Sequence, residues 1–448
     1  MTMEIEIISR ENIKPSSPTP LYLRTFKFSL LDQIIPSYFQ PVVLFFLPDS
    51  AASSDATGFL SQRTLVLKKS LSLILTRFYP FAGIIGDSFS VDCNDGGVPF
   101  AVAKVKGQLS DFLKNPDLDL VQNFLPNELS WTPPGTNVLK IQASHFDCGG
   151  MVIGLTGSHV VAGGITICSF LKAWAATAAG ALTFIEEQCP NYIAQSLFPP
   201  NDKIPEESYL FSNFHPFLMT GNCVLKRYVF DSSAISTLKA KSPGSRVQVM
   251  TAFIWKCFMA ACAAANNLPS LMVHAVDLRS RAVPPFSKNC FGNFLWIAAA
   301  AAESMNHTDH DQANLVTKVR ESIRRIDGNF VKRMQGDEGL IGYIKNLEET
   351  RALIPGEANC LNFSSWCNFA VYDIDFGWGK PIWVANSVST DSCNSPKLND
   401  VMFLDTRDGK GMEVYVTIEE QYAAAFDKIE ELRSFISINP SPLEFQYL

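Results

Sequence analysis

Leu71, Ile74, Leu75 and Phe78 recur at helical spacing and stop at Tyr79-Pro80, which predicts an amphipathic helix closed by proline. The stretch that follows, FAGIIGDSFSVDCNDGGVPFAVAKV, alternates apolar and polar residues around Asn94-Asp95-Gly96-Gly97, and this predicts a hairpin. Val138–Gln142 and Met151–Thr156 flank Asp147-Cys148-Gly149-Gly150 in the same way, a second hairpin that runs into Ser158-His159. Beyond Gly163-Gly164 the period changes. Ile167, Phe170, Leu171 and Trp174 fall at i, i+3, i+4 and i+7, so a helix starts near Ile165 and His159 stands at a strand–loop–helix junction.

Residues 189–222 carry several prolines and no sustained period, as a crossover between two domains would. Past them come a strand at Val224–Phe230, a helix over about 247–264, strands at Val273–Asp277 and Trp383–Val388, and a hairpin. That hairpin joins Met402–Leu404 to Met412–Thr417 around Arg407-Asp408-Gly409-Lys410-Gly411. At 448 residues the chain exceeds one ordinary core, so two domains are expected: 1–188, and 223–448 after the crossover. Both mix helix and strand, an α/β class. No internal repeat or low-complexity tract interrupts them.

Composition narrows the function. Hydrophobic residues at 47% and charged ones at 18% describe a packed globular protein. A net charge of −7 and no Lys/Arg block argue against a nucleic-acid partner and leave a small molecule as the expected ligand. Eleven cysteines without CxxC pairs read as reduced core thiols, which points to the cytoplasm. The start MTMEIEIISRENIKPSSPTP has no apolar signal core, and the apolar run Phe291–Ala302, broken by Gly292 and Asn293, is too short for a bilayer. No membrane role is expected.

Among chemical candidates, His159 can take and return a proton near neutrality, but a buried structural imidazole satisfies the same pattern. Ser158 cannot pair with it, because neighbouring strand residues face opposite ways. GxSxG and phosphate-binding glycine loops are absent. His307-Thr308-Asp309-His310 lies in a polar stretch and reads as a solvated loop, so no metal is assigned. Asp375-Phe376-Gly377-Trp378-Gly379 reads as a rigid structural turn.

Ser158-His159 followed some 210 residues later by Asp375-Phe376-Gly377-Trp378-Gly379 resembles the plant BAHD acyltransferases, whose signatures are His-x-x-x-Asp and DFGWG. Further blocks carry the resemblance along the chain, among them Phe78-Tyr79-Pro80-Phe81-Ala82-Gly83, Asp277-Leu278-Arg279-Ser280-Arg281 and Gly292-Asn293. They are most similar to an alkaloid-acetyltransferase branch. The resemblance implies two similarly sized α/β domains of the chloramphenicol acetyltransferase type, with an interdomain channel and a histidine midway along it. It implies a monomer with no tightly bound cofactor, acyl-CoA as co-substrate, acetyl-CoA by the branch, and an alkaloid or terpenoid acceptor acylated at oxygen or nitrogen. His159 would be the general base, with Trp366 and Ser364 donating to the oxyanion. Two other outcomes remain compatible: the scaffold rerouted to elimination or cyclisation, or a metabolite-binding pseudoenzyme.

One position departs from the family. Gly163 stands where the family has an aspartate, whose carboxylate braces the loop by pairing with an arginine; here the arginine is expected at Arg279 or Arg281. A buried guanidinium stripped of its carboxylate costs on the order of 3–5 kcal/mol, so either another acceptor holds it or the arginine faces water. Gly163-Gly164 is expected to be a looser connection than Asp-Gly. With the arginine buried nearby and unpaired, an aspartate returned to 163 would be expected to restore the pair and raise stability; with the arginine held by another partner, or the chain moved to new chemistry, the added carboxylate would be buried without a mate, and stability and turnover would fall.

Overall fold

The computed structural model describes residues 3–48, 56–86, 89–126, 132–181, 188–204, 222–304, 311–353, 356–386 and 399–444. Two sheets organise it. The first has six strands in the order Ile5–Ile13, Val98–Val105, Leu139–Phe146, Met151–Ser158, Phe39–Phe46 and Trp383–Ala385. The second has seven: Leu295–Ala302, Ser270–Asp277, Asn359–Ser365, Asp400–Asp405, Met412–Glu419, Cys223–Phe230 and Ser437–Ile438. Pairing is antiparallel except between Val98–Val105 and Leu139–Phe146, and from Ser270–Asp277 through Asn359–Ser365 to Asp400–Asp405. The α/β class follows.

Strand periodicity explains the layers. In Phe39–Phe46, Val42, Leu44 and Phe46 enter the core beneath helices Ala56–Leu75 and Gly164–Ala178, while Val43 and Phe45 enter a smaller core on the opposite face. In Asp400–Asp405, Val401 and Phe403 pack on the second half's own core with helix Arg246–Ala263, whereas Met402 and Leu404 join the first half's core. One face of the second sheet is therefore spent on its own helices and the other on the first half. Helix Arg246–Ala263 starts at a reciprocal Ser245/Gln248 capping box, which satisfies two of its orphan backbone donors.

The helix ending before Tyr79, the hairpin Leu139–Phe146/Met151–Ser158 and the hairpin around 407–411 form as the pattern predicts. The hairpin expected across 94–97 does not. Ser90–Asp92 pairs with Thr25–Lys27 and Ile84–Ile85 in a small third sheet, while Val98–Val105 pairs with Ile5–Ile13 and Leu139–Phe146. The turn there moves the chain between sheets. Gly97, at φ +92°, passes so close to Ile13 that a Cβ would sit 2.8 Å from its carbonyl oxygen.

Strand Trp383–Ala385, expected in the second domain, instead closes the edge of the first sheet against Phe39–Phe46. A buried ion pair lies beside it. Arg227 Nε meets Glu413 Oε2 at 2.5 Å, Tyr372 donates to Glu413 Oε1 at 2.6 Å, and the Arg227 guanidinium lies 5.1 Å from the Trp383 ring centroid. Residues 205–221 of the expected crossover, and Ser387 and Val388, lie outside the described residues. No described helix is long and apolar enough to cross a membrane.

Candidate active site

His159 follows strand Met151–Ser158 and precedes a tight loop in which the amides of Val161 and Ala162 both donate to Ser158 O at 3.1 Å. Helix Gly164–Ala178 then begins. The His159 amide donates to Tyr38 O at 2.8 Å, and the rings of the two residues lie 5.2 Å apart. Burial pushes the imidazole down to about 4, opposed by its own carbonyl and by the Asn293 side chain, which favour the protonated ring. At neutral pH the ring is uncharged and able to accept a proton.

His159 and Tyr38 combine strong desolvation with retained solvent access, Tyr38 keeping 40% of its surface exposed. Asp400 shares both properties: it lies on the same face as Met402 and Leu404, in register with Asn362 and Thr417, and its carboxyl has no hydrogen-bond or ionic partner among the described residues. Burial pushes it from 3.8 up to about 7, and its charge reaches Tyr38. Sequence reasoning missed this acid, because nothing local marks it.

The sign of its linkage is testable. A folded-state pKa above the unfolded one means that Asp400 costs nothing below about pH 4, and that its cost grows until about pH 7 and then levels. Asp400→Asn is therefore expected to melt with wild type at pH 4 and several degrees above it at pH 8. Equal melting curves at pH 8 would show that the carboxylate is solvated.

Trp366 is buried at the end of strand Asn359–Ser365, and its amide donates to Phe403 O at 2.8 Å. Its indole lies against the start of the helix that follows His159: a Cβ on Gly164 would come within 2.7 Å of Trp366 Nε1. That nitrogen has no hydrogen-bond acceptor among the described residues. Ser364 is half-buried on the strand that leads to it, opposite Met402. The structure thus brings Trp366 to the loop of His159, with Ser364 on the same strand.

The DFGWG stretch makes a tight turn. Asp375 Oδ1 accepts from the amides of Gly377 at 2.8 Å and Gly379 at 2.9 Å, and both glycines have positive φ. Phe376 packs edge-on against Trp174 at 4.9 Å and stacks on Trp378 at 5.6 Å. Trp174 is ten residues into its helix, roughly 15 Å along the axis from Gly164, so this turn clamps the far end of the helix. It touches no reacting group.

The double glycine is not the loose connection expected from its composition. Gly163 is the helix N-cap with φ −72° and ψ 170°, a conformation open to any residue. Both glycines are there for proximity: a Cβ at 163 would lie 2.8 Å from Asn293 Oδ1, and one at 164 would strike the indole. Of the two arginines, Arg281 is held by Ile323 O and Ile326 O at the end of another helix. Arg279 is buried and engaged, by Asp277 Oδ1 at 2.9 Å and by the carbonyls of Cys290 at 2.8 Å and Gly292 at 3.2 Å. Of the two outcomes weighed for a restored carboxylate, the one with the arginine already partnered therefore applies. Gly163→Asp would press on Asn293 and find Arg279 already paired, so its melting temperature is expected to fall by several degrees; an increase would show that Arg279 can change partners. His307, Asp309 and His310 lie outside the described residues.

Gly292-Asn293 occupies the place a brace would take. Gly292, at φ +112°, lies so close to Asp32 that a Cβ would sit 3.1 Å from its carboxylate, and Thr166 exchanges hydrogen bonds with the Gly292 carbonyl and amide. Asp32 is buried and accepts from Ser29 N and Oγ and from Asn293 N and Nδ2, at 2.6–3.0 Å. Burial still pushes its pKa up to about 6. Of these residues, sequence reasoning noticed only Gly292-Asn293, and gave it no task.

The model of the Transferase family matches residues 3–433. Epi-neemfruitin B 7-O-acetyltransferase of Melia azedarach is 39% identical over 98% of this chain and 100% of its own length. Stemmadenine O-acetyltransferase of Catharanthus roseus is 36% identical over 94% and 95%. The crystal structure of vinorine synthase superposes with a TM-score of 0.79 at 34% identity, covering 97% of this chain and 99% of that one.

Proposed function

Because this chain belongs to the Transferase family and is a BAHD-type acyltransferase, we propose that it moves an acetyl group from acetyl-CoA to a hydroxyl of a plant terpenoid or alkaloid, with His159 as the base. The observation that supports the reading is a neutral imidazole at 159 on the loop whose Gly164 packs against the Trp366 indole, an N–H with no acceptor among the described residues. The acetyltransferase names of the relatives support acetyl as the group moved, and their O-acetyltransferase names support a hydroxyl as the acceptor.

In this mechanism His159 takes the proton of the acceptor hydroxyl as its oxygen attacks the thioester carbonyl. The tetrahedral intermediate places negative charge on the former carbonyl oxygen. The Trp366 Nε1–H is aimed to stabilise that charge, with the Ser364 hydroxyl as a second donor. Collapse expels the CoA thiolate, which takes back the proton from the imidazolium. The chain supplies a base, oxyanion donors and a desolvated passage.

Incubation of the purified protein with acetyl-CoA and alcohols of both classes tests the reading. The expected result is release of free thiol matched by a product heavier by one acetyl group. New products without thiol release, or binding of both substrates with neither signal, would overturn it.

A further inference from the structure

We propose that Asp400 sets the acceptor specificity of this enzyme as the ion-pair partner for the ammonium group of an amine-bearing alcohol, with the Tyr38 ring as the aromatic side of the same subsite. The inference rests on the acyl-transfer reading and narrows its acceptor to a basic one. The geometry starts from the second sheet, where positions facing the first half fall in rows across neighbouring strands. One row is Met402, Tyr415 and Arg227, in register and buried. The next row, two residues along, is Asn362, Asp400, Thr417 and Leu225, again in register, and all four are only half-buried. The first half thus covers this sheet face up to Met402 and draws away from it at Asp400.

Asp400 is the charged member of that half-open row. Asn362 and Thr417 beside it are neutral, Leu225 is apolar, and its carboxyl has no hydrogen-bond or ionic partner among the described residues. Across from it in the first half stands Tyr38, whose phenol feels the Asp400 charge and whose ring lies 5.2 Å from that of His159, itself uncharged at neutral pH. Glu419, two positions beyond Thr417 on the same strand, is bonded by Gln421. A carboxylate left unpaired in such a place costs the free protein stability, and its pKa is pushed up to about 7. An ammonium ion offsets that cost by forming an ion pair where the dielectric is low, and the face of the Tyr38 ring attracts the same charge. A neutral polar group brings no charge to offset the desolvation. Because Tyr38 adjoins both groups, an amine at Asp400 leaves the hydroxyl of the same molecule on the His159 side.

Alcohols matched in shape and differing in charge test the subsite. One pair is tropine and the bicyclic alcohol with carbon in place of its nitrogen; the other is a steroid alcohol carrying a dimethylamino group and the same alcohol carrying isopropyl. Calorimetry on the purified protein at pH 8, without acetyl-CoA, is expected to show the ammonium member of at least one pair binding about 10–100-fold tighter than its neutral partner. The same ratio should appear in KM for the acceptor during acetyl transfer. Asp400→Asn keeps the shape and removes the charge, so the ratio should collapse to about 1, and the melting temperature of that variant shows on the same sample that it is folded. Tyr38→Leu should lower the ratio several-fold and Tyr38→Phe should keep it. Both amines stay protonated from pH 8 to pH 5.5, whereas Asp400 gains its proton near pH 7, so wild type should lose most of its preference over that range and Asp400→Asn should show no change. Equal binding within both pairs, no binding of either ammonium alcohol, or a preference that survives in Asp400→Asn would overturn the proposal. A preference that depends on Asp400 in a protein that transfers no acetyl group would sink the transferase reading and leave the subsite standing. Acetyl transfer without the preference would sink the subsite alone.

Discussion

Replacing His159 with alanine is expected to lower turnover by about 10²–10⁴ while leaving the melting temperature nearly unchanged, because the residue's share in the fold is carried by its backbone. Its amide bonds Tyr38 O and its carbonyl receives Asn293 Nδ2, and both contacts survive truncation. No other described side chain at this loop is a neutral base at pH 7. Thiol release from acetyl-CoA and a thermal melt on the same preparation measure both halves of the expectation. More than about a tenth of wild-type turnover would leave too little for a base to supply.

Trp366→Phe is the second large effect, an expected loss of about 10–10³ in kcat, the scale of a single oxyanion donor. Phenylalanine keeps an aromatic ring beside Gly164 and the backbone bond to Phe403 O, and deletes the indole N–H. Trp366 is only 4% exposed, so some loss of packing accompanies the change and the melting temperature drops by a few degrees. A packing defect alone would blur KM and kcat together, whereas loss of a donor used only at the tetrahedral stage lowers kcat and leaves KM for acetyl-CoA in place. An unchanged kcat would return the indole to the core.

The strand–loop–helix junction around His159 was legible because the hydrophobic period changes from 2 to 3.6 across one pair of glycines, and both signals are local. What those glycines accommodate was not legible. Asn293 lies 130 residues beyond Gly163 and its anchor Asp32 lies near the start of the chain, so their meeting is a property of packing and leaves no mark in either neighbourhood. Composition suggested freedom at 163 and 164, where the structure shows crowding. Pairing failed in the same way at 90–105: alternation identified strands, but the choice of partner was settled by Ile5–Ile13 and Thr25–Lys27, far up the chain. Arg279 shows the rule from the other side. That a buried arginine would find some other acceptor followed from the cost of an unpaired buried charge, but that Asp277, two residues away, would supply it required coordinates.

Strand Trp383–Ala385 gives the second half of the chain a place inside the first half's sheet, and Trp383 shares its pocket with Arg227 and Tyr415 from the other sheet. A hybrid built by joining the first half of this protein to the second half of a relative would import a foreign edge strand and a foreign partner for Phe45, which stacks on Trp383 at 4.7 Å. Such hybrids start with a folding defect that no linker design removes. The two halves are thereby tied to each other by packing, so a change of partner at this seam is felt in both sheets.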